Sequence, residues 1–138
     1  MKFRSGQSLL ALVILIGGIV AVVGITLVFS TNSFLTSQYG FRSAGTAEAT
    51  ATAGVQDALL KLDRNAAFAT AGTPPGNYLL TVGSTTATVS VTQNSPSANY
   101  ITVLSQATVS VSTKKVQVIL LENASTSALT ITSWQEVQ

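Results

Sequence analysis

Asp57 and Asp63 stand six residues apart, and Glu122 and Glu136 fall on separate extended stretches, so no spacing sets two carboxylates across a scissile bond. A calcium loop needs oxygen ligands at alternate positions, and no stretch supplies them. The chain has neither histidine nor cysteine, which removes the commonest zinc ligands, the thiol nucleophile and the usual base near neutral pH together. These gaps point away from an enzyme, and no metal site and no cofactor is expected. Lys114 and Lys115 adjoin at an expected hairpin and could touch DNA or an anionic lipid, although two lysines alone ordinarily make a solubilising turn. Asn123-Ala124-Ser125 matches the N-glycosylation acceptor pattern, a three-residue match of a kind that chance often supplies. Trp134 is the only tryptophan; a surface aromatic can be an adhesive hot spot, but a lone Trp near a terminus more commonly packs its strand onto the core.

The formal charge of the 138 residues is +2, and Lys2 and Arg4 account for the whole excess. Beyond Gly6 five cations face five anions, so the basicity belongs to the first residues and nucleic acid is not a favoured partner. Charged residues make up only 9 %, while Ser, Thr and Ala crowd the chain from residue 43 onward, a composition suited to an exported surface protein. Nothing in it suggests a small-molecule substrate.

Any chemistry or binding must be positioned by the elements the apolar pattern predicts. From Leu9 to Phe29 the chain carries no charge and one polar side chain, Thr26. As a helix rising 1.5 Å per residue this run is about 31 Å long, close to the ~30 Å hydrocarbon core of a bilayer. It is longer than the apolar part of a cleaved secretory signal. With Lys2 and Arg4 before it and no further charge until Arg42, the positive-inside rule places the N-terminus in the cytoplasm and the rest outside. Gly17, Gly18 and Gly24 within the run either permit close approach of another helix or reflect the general frequency of glycine in spanning helices.

A short basic leader, Gly6, Gln7 and then an unbroken apolar helix ("MKFRSG" followed by "QSLLALVILIGG") resembles the leader of type IV prepilins and type II secretion pseudopilins. The resemblance implies that a prepilin peptidase cuts after Gly6 and methylates Gln7. Leu9, Leu10, Ala11, Leu12, Val13, Ile14, Gly17, Gly18, Gly24 and Phe29 would then form first a membrane anchor and later a filament core. One position departs from the family: the glutamate usual at the fifth mature residue, which pairs with a neighbouring subunit's amine, is Ala11 here. An unpaired charge buried in a bundle costs several kcal/mol, so Ala11 shifts the expectation from a major pilin toward a minor or tip subunit.

Beyond Phe29 a helix can continue without meeting proline, and Val55, Leu59, Leu62 and Ala66 fall on one of its faces. Gly40, Gly45 and Gly54 each cost about 1 kcal/mol against Ala, so a bend or local melting is expected near residues 40–45. Thr73-Pro74-Pro75-Gly76-Asn77 ends the helical half, after which the period changes from 3.6 to 2. Strands are expected near 78–83, 86–93, 100–111, 115–122 and 128–135, with short joints that imply an antiparallel meander. One joint is placed at Ser112-Thr113-Lys114.

The expected fold class is therefore α+β: a long N-terminal helix, membrane-spanning in its first half, packed through Val55, Leu59, Leu62 and Trp134 against a small antiparallel sheet, a layout the pilin resemblance also implies. The organisation is a leader at 1–6, a helix at 7–71 with its span at 9–29, and a sheet domain at 72–138. The resemblance implies a non-enzymatic minor subunit of a type IV pilus or type II secretion pseudopilus, held as a single-pass inner-membrane protein and then extruded into an extracellular or periplasmic filament. Its partners would be other pilin subunits, prepilin peptidase, the inner-membrane assembly platform with its ATPase, and membrane lipid. The rival expectations are a signal-anchored surface binding module that never polymerises and a DNA-uptake pilus subunit.

Overall fold

A computed structural model of the chain describes residues 5–68 and 76–137. The expected leader residues 1–4, the end of the expected helix at 69–71 and the prolines of the 73–77 joint lie outside the described residues. The fold is α+β. One helix, α1 (Ser5–Arg64), precedes five strands: β1 (Tyr78–Val82), β2 (Thr85–Gln93), β3 (Tyr100–Val109), β4 (Ser112–Glu122) and β5 (Leu129–Val137). The chain divides into two compact units, Met1–Tyr39 and Gly40–Gln138.

In the second unit the strands form one antiparallel sheet in the order β1-β2-β3-β4-β5, the meander expected from the short joints. Each inner strand alternates as a one-sided sheet demands. Ala87, Val89 and Val91 of β2, Ile101, Val103 and Ala107 of β3, and Val116, Val118 and Leu120 of β4 are buried on one face. Ala47, Ala51, Val55, Ala58 and Leu62 of α1 meet them as a stripe at helical spacing. Leu59 packs at the margin, half-buried. Small residues fill most of this stripe and let the helix lie low. At Gly54 the approach is closest: an added Cβ would collide with Ser105 Oγ and stand 2.8 Å from Val89 Cγ2. The Ser105 hydroxyl beneath it is buried and, among the described residues, without a hydrogen-bond partner.

Three features differ from the sequence expectation. The helix ends at Arg64, short of residue 71, because Asn65 and Gln93 supply alternative partners. Asn65 Oδ1 accepts from Ala67 N (3.1 Å), and Gln93 Nε2 donates to the carbonyls of Ala66 and Phe68, both at 2.9 Å. The β3–β4 turn falls at Ser110-Val111 instead of Ser112-Thr113-Lys114, since the register Val103↔Val118 and Ser105↔Val116 leaves those two residues to close the hairpin. Ser110 takes φ 55° and Val111 is 92 % exposed, an unusual position for a β-branched apolar residue. Gly40 and Gly45 are both helical, so no local melting occurs there. Gly83 does what its type suggests, occupying the first central position of the β1–β2 turn at φ 61°.

Replacing Gly54 with Val should cost about 1–3 kcal/mol, the range for overpacking a filled core. Thermal unfolding of the detergent-solubilised chain, followed by far-UV circular dichroism, should then occur several degrees lower. Ser105→Ala should leave the transition unchanged or raise it, because it removes a buried hydroxyl that has no partner. An unaltered melting temperature in Gly54→Val would contradict the close helix–sheet approach.

Candidate functional site

Among the described residues the side chains most in need of a partner are those of the first unit. Fifteen large apolar side chains between Leu9 and Phe29 are exposed, among them Leu9, Leu10, Leu12, Val13, Ile14 and Phe29. At ~1.5 kcal/mol or more for each such side chain left in water, the deficit is on the order of 20 kcal/mol. That exceeds the roughly 5–15 kcal/mol by which a whole domain is stable, so this surface cannot be left to water. The helix is long and apolar enough to cross a membrane. Its backbone groups are satisfied within the helix, and Thr26 Oγ1 donates to Val22 O at 2.8 Å, so even its one hydroxyl is paired internally.

Ala11 is exposed on this surface, and Gly6 and Gln7 lie in the first turn of α1. A Cβ built at Gly17, Gly18 or Gly24 meets nothing within 4 Å, so each glycine leaves room for another backbone to approach. Gly24, with Ala21, Ile25, Val28 and Phe29, lines a shallow apolar groove. Thr31 and Thr36 repeat the bond of Thr26, donating to the carbonyls of Leu27 and Asn32.

In the second unit the packing residues separate. Val55 and Leu62 are fully buried and Leu59 borders the core. Trp134 does not pack the helix against the sheet as expected: it is 45 % exposed. Its register partner Val118 is buried, so Trp134 lies on the helix-side face, but β5 is the edge strand and the buried positions opposite α1 fall on β2, β3 and β4. Ile131, also exposed, continues the apolar strip along this edge. A bulge follows at Ile119/Leu120, where Thr132 Oγ1 donates to Ile119 O at 2.8 Å.

The two adjacent lysines do not act as one cationic patch. Lys114 is opposite buried Ala107 and Lys115 opposite exposed Gln106, so they project from opposite faces of β4. Lys114 pairs with Glu136, which holds its pKa above the ordinary value, with Glu48 adding to the effect. Removal of this pairing, more than any turn geometry, is what DNA binding by Lys114 would require. The acidic residues stay dispersed, and among the described residues no group of three metal-ligating side chains occurs.

One ionic cluster sits near the end of α1. Lys61 Nζ is 2.9 Å from Asp57 Oδ2 one turn earlier and 3.4 Å from the centre of the Tyr78 ring. Phe68 meets Tyr78 edge-on, ring centres 6.1 Å apart. The hydrogen bond to Lys61 lowers the pKa of Asp57 against the opposing effect of burial, while burial and the neighbouring carboxylate raise that of Tyr78. The cluster ties β1 to the helix by a cation over a ring as well as by apolar contact. The Asp57–Lys61 pair joins residues one helical turn apart, whereas its aromatic lid comes from a strand 17 residues beyond Lys61.

Two outcomes follow from this geometry. A carboxylate whose folded pKa is lowered stabilises the fold above its unfolded value of 3.8 and loses that contribution as pH falls through the folded value. The melting temperature should therefore drop as acid passes below pH 3.8, and Asp57→Asn should flatten that part of the profile. Val20→Arg, near the middle of the apolar run, should cost about 2.5–3.5 kcal/mol of insertion. That cost is small beside a deficit on the order of 20 kcal/mol, so the variant should stay in the carbonate-resistant membrane fraction, and its loss from that fraction would contradict this accounting. Compared with protein-family models, curated proteins and solved structures, the chain matches none.

Proposed function

We propose that this chain is a membrane-stored structural subunit of a helical filament of the type IV pilin or pseudopilin kind, of the minor class, and that it catalyses nothing. The observation that carries the reading is the wholly exposed apolar surface from Leu9 to Phe29 at the start of a 60-residue helix whose last third packs under a sheet. Lipid satisfies such a surface in a stored monomer, and the same surface of neighbouring copies satisfies it in a fibre, where glycines at 17, 18 and 24 admit close packing. Prepilin peptidase would cut after Gly6 and methylate Gln7. An inner-membrane platform and its ATPase would then move the anchor from lipid into the fibre. Ala11 leaves a neighbour's terminal amine without a carboxylate, which favours a position at the tip or a sparse place in the shaft. In this reading residues beyond Phe29 lie outside the cytoplasmic membrane.

A signal-anchored binding module that does not polymerise is the second reading, favoured by the exposed Ile131–Trp134 strip on an open edge strand. Mass measurement of the N-terminus of the chain recovered from cells separates the two. A chain beginning at N-methylated Gln7, and present in sheared fibres, is the expected result. Retention of Met1 in cells with a working prepilin peptidase would overturn the filament assignment and leave the anchored module.

A further inference from the structure

Of the six asparagines in the chain, only Asn123 is followed two positions later by Ser or Thr across a residue other than proline. It occupies the turn between β4 and β5, where residues 123–128 are all exposed. The turn closes on its own backbone: Asn123 N donates to Ala128 O at 2.9 Å, and Asn123 O accepts from Thr126 N and Ser127 N at 3.2 and 2.7 Å. The side-chain amide has one assigned bond, from Ser125 N to Asn123 Oδ1 at 2.9 Å. Nδ2 therefore has no partner among the described residues and faces solvent.

We propose that Asn123 is an N-glycosylation site whose donor is a lipid-pyrophosphate-linked glycan. In the transfer Nδ2 attacks C1 of the first sugar. The N–C1 bond forms, the C1–O bond to pyrophosphate breaks with its electron pair leaving on the lipid pyrophosphate, and one Nδ2 proton passes to a base of the transferase. As that proton leaves, negative charge builds on Oδ1, where the Ser125 N–H already donates. A donor fixed in advance at the atom that gains charge lowers the barrier. Residue 125 thus supplies both this N–H and a free hydroxyl beside it, which gives the two-residue spacing a physical reason here.

Asn65 is the internal comparison. Its Oδ1 accepts from Ala67 N at 3.1 Å in the same arrangement, but Ala67 has no hydroxyl. Asn123 is also well placed for a bulky addition. Gln93 and Asn99 mark this end of the sheet as the one near Ala66 and Phe68, through bonds from Gln93 to both and from Glu122 N to Asn99 O. Ser43 and Ser112 meet at the opposite end, 3.1 Å apart. A glycan on Asn123 extends from the end of the second unit remote from Gly40 and leaves the helix–sheet core untouched.

The assignment rests on the placement of residues 76–137 outside the cytoplasmic membrane, so orientation is measured in the same sample. The full chain is recovered from the cells that make it, and its peptides are mapped by mass spectrometry. The peptide containing Asn123 should carry extra mass equal to whole sugar residues. That mass should vanish in Asn123→Gln and in Ser125→Ala and persist in Ser125→Thr, with Asn65 unmodified throughout. Protease added to intact spheroplasts reports which side the sheet is on. An unmodified Asn123 on a protease-accessible sheet overturns the glycan alone, and an unmodified Asn123 on a protected sheet overturns the orientation with it. Extra mass that survives Asn123→Gln places the sugar on a hydroxyl and also overturns the assignment.

Discussion

A five-stranded sheet has two faces, and in the second unit everything depends on α1 covering one of them. The buried positions of β2, β3 and β4 are Val, Ile, Leu and Ala, each favourable only when taken out of water. The helix meets them with Ala47, Ala51, Gly54, Val55, Ala58 and Leu62, a stripe in which most side chains are smaller than Leu. The consequence is a short distance between helix axis and sheet, set by a glycine with no side chain to spare, and a core thin enough that one added methyl group is felt.

Polar groups around this core are organised to keep its edges dry. Gln93 takes up two carbonyls just past the helix end, where they would otherwise need water. Lys114 spans to Glu136 on the helix-side face of β4 and β5, and Lys61 lies over Tyr78 while paired with Asp57. The far face of the sheet mixes Thr88, Thr92, Gln106, Thr108 and Gln135 with Leu79, Leu104, Ile119 and Leu121, and the Thr108 and Thr113 hydroxyls stand 3.0 Å apart across the β3–β4 hairpin. Along β5 Leu129 packs against the core while Ile131 and Trp134 stay exposed, and the bulge at Ile119/Leu120 blunts this edge.

The first unit obeys the opposite rule. From Leu9 to Phe29 its helix satisfies its backbone groups internally and presents apolar side chains on all sides, and the hydroxyls of Thr26, Thr31 and Thr36 fold back onto carbonyls of the preceding turn. Such a surface is stable only in a medium as apolar as itself, whether lipid chains or other helices. A single α1 thus carries a segment for a low-dielectric surrounding and a segment for a protein core, in the first and second units respectively.

Much of this is legible in the amino-acid sequence. The uncharged run at 9–29, the change of period after 77 and the alternation Ala87-Val89-Val91 depend on local side-chain type, and each element formed close to its expected place. Val55 and Leu62 were visible as core because a large apolar residue at helical spacing announces itself. Ala47, Ala51 and Ala58 were not, since alanine is at home in any helix and only the approach of a sheet decides which alanines are buried. The fates of Trp134, Ser110-Val111 and the helix end at Arg64 were likewise decided by contacts distant in sequence: strand order left β5 uncovered, register moved a turn onto a valine, and Gln93 captured carbonyls 25 and 27 residues away. The amino-acid sequence by itself determined which segments are helix and strand and which surface water will not tolerate, because those follow from near neighbours. Only the tertiary structure decided which face, edge and turn each side chain occupies, because pairing register and helix placement are settled between residues that are far apart along the chain.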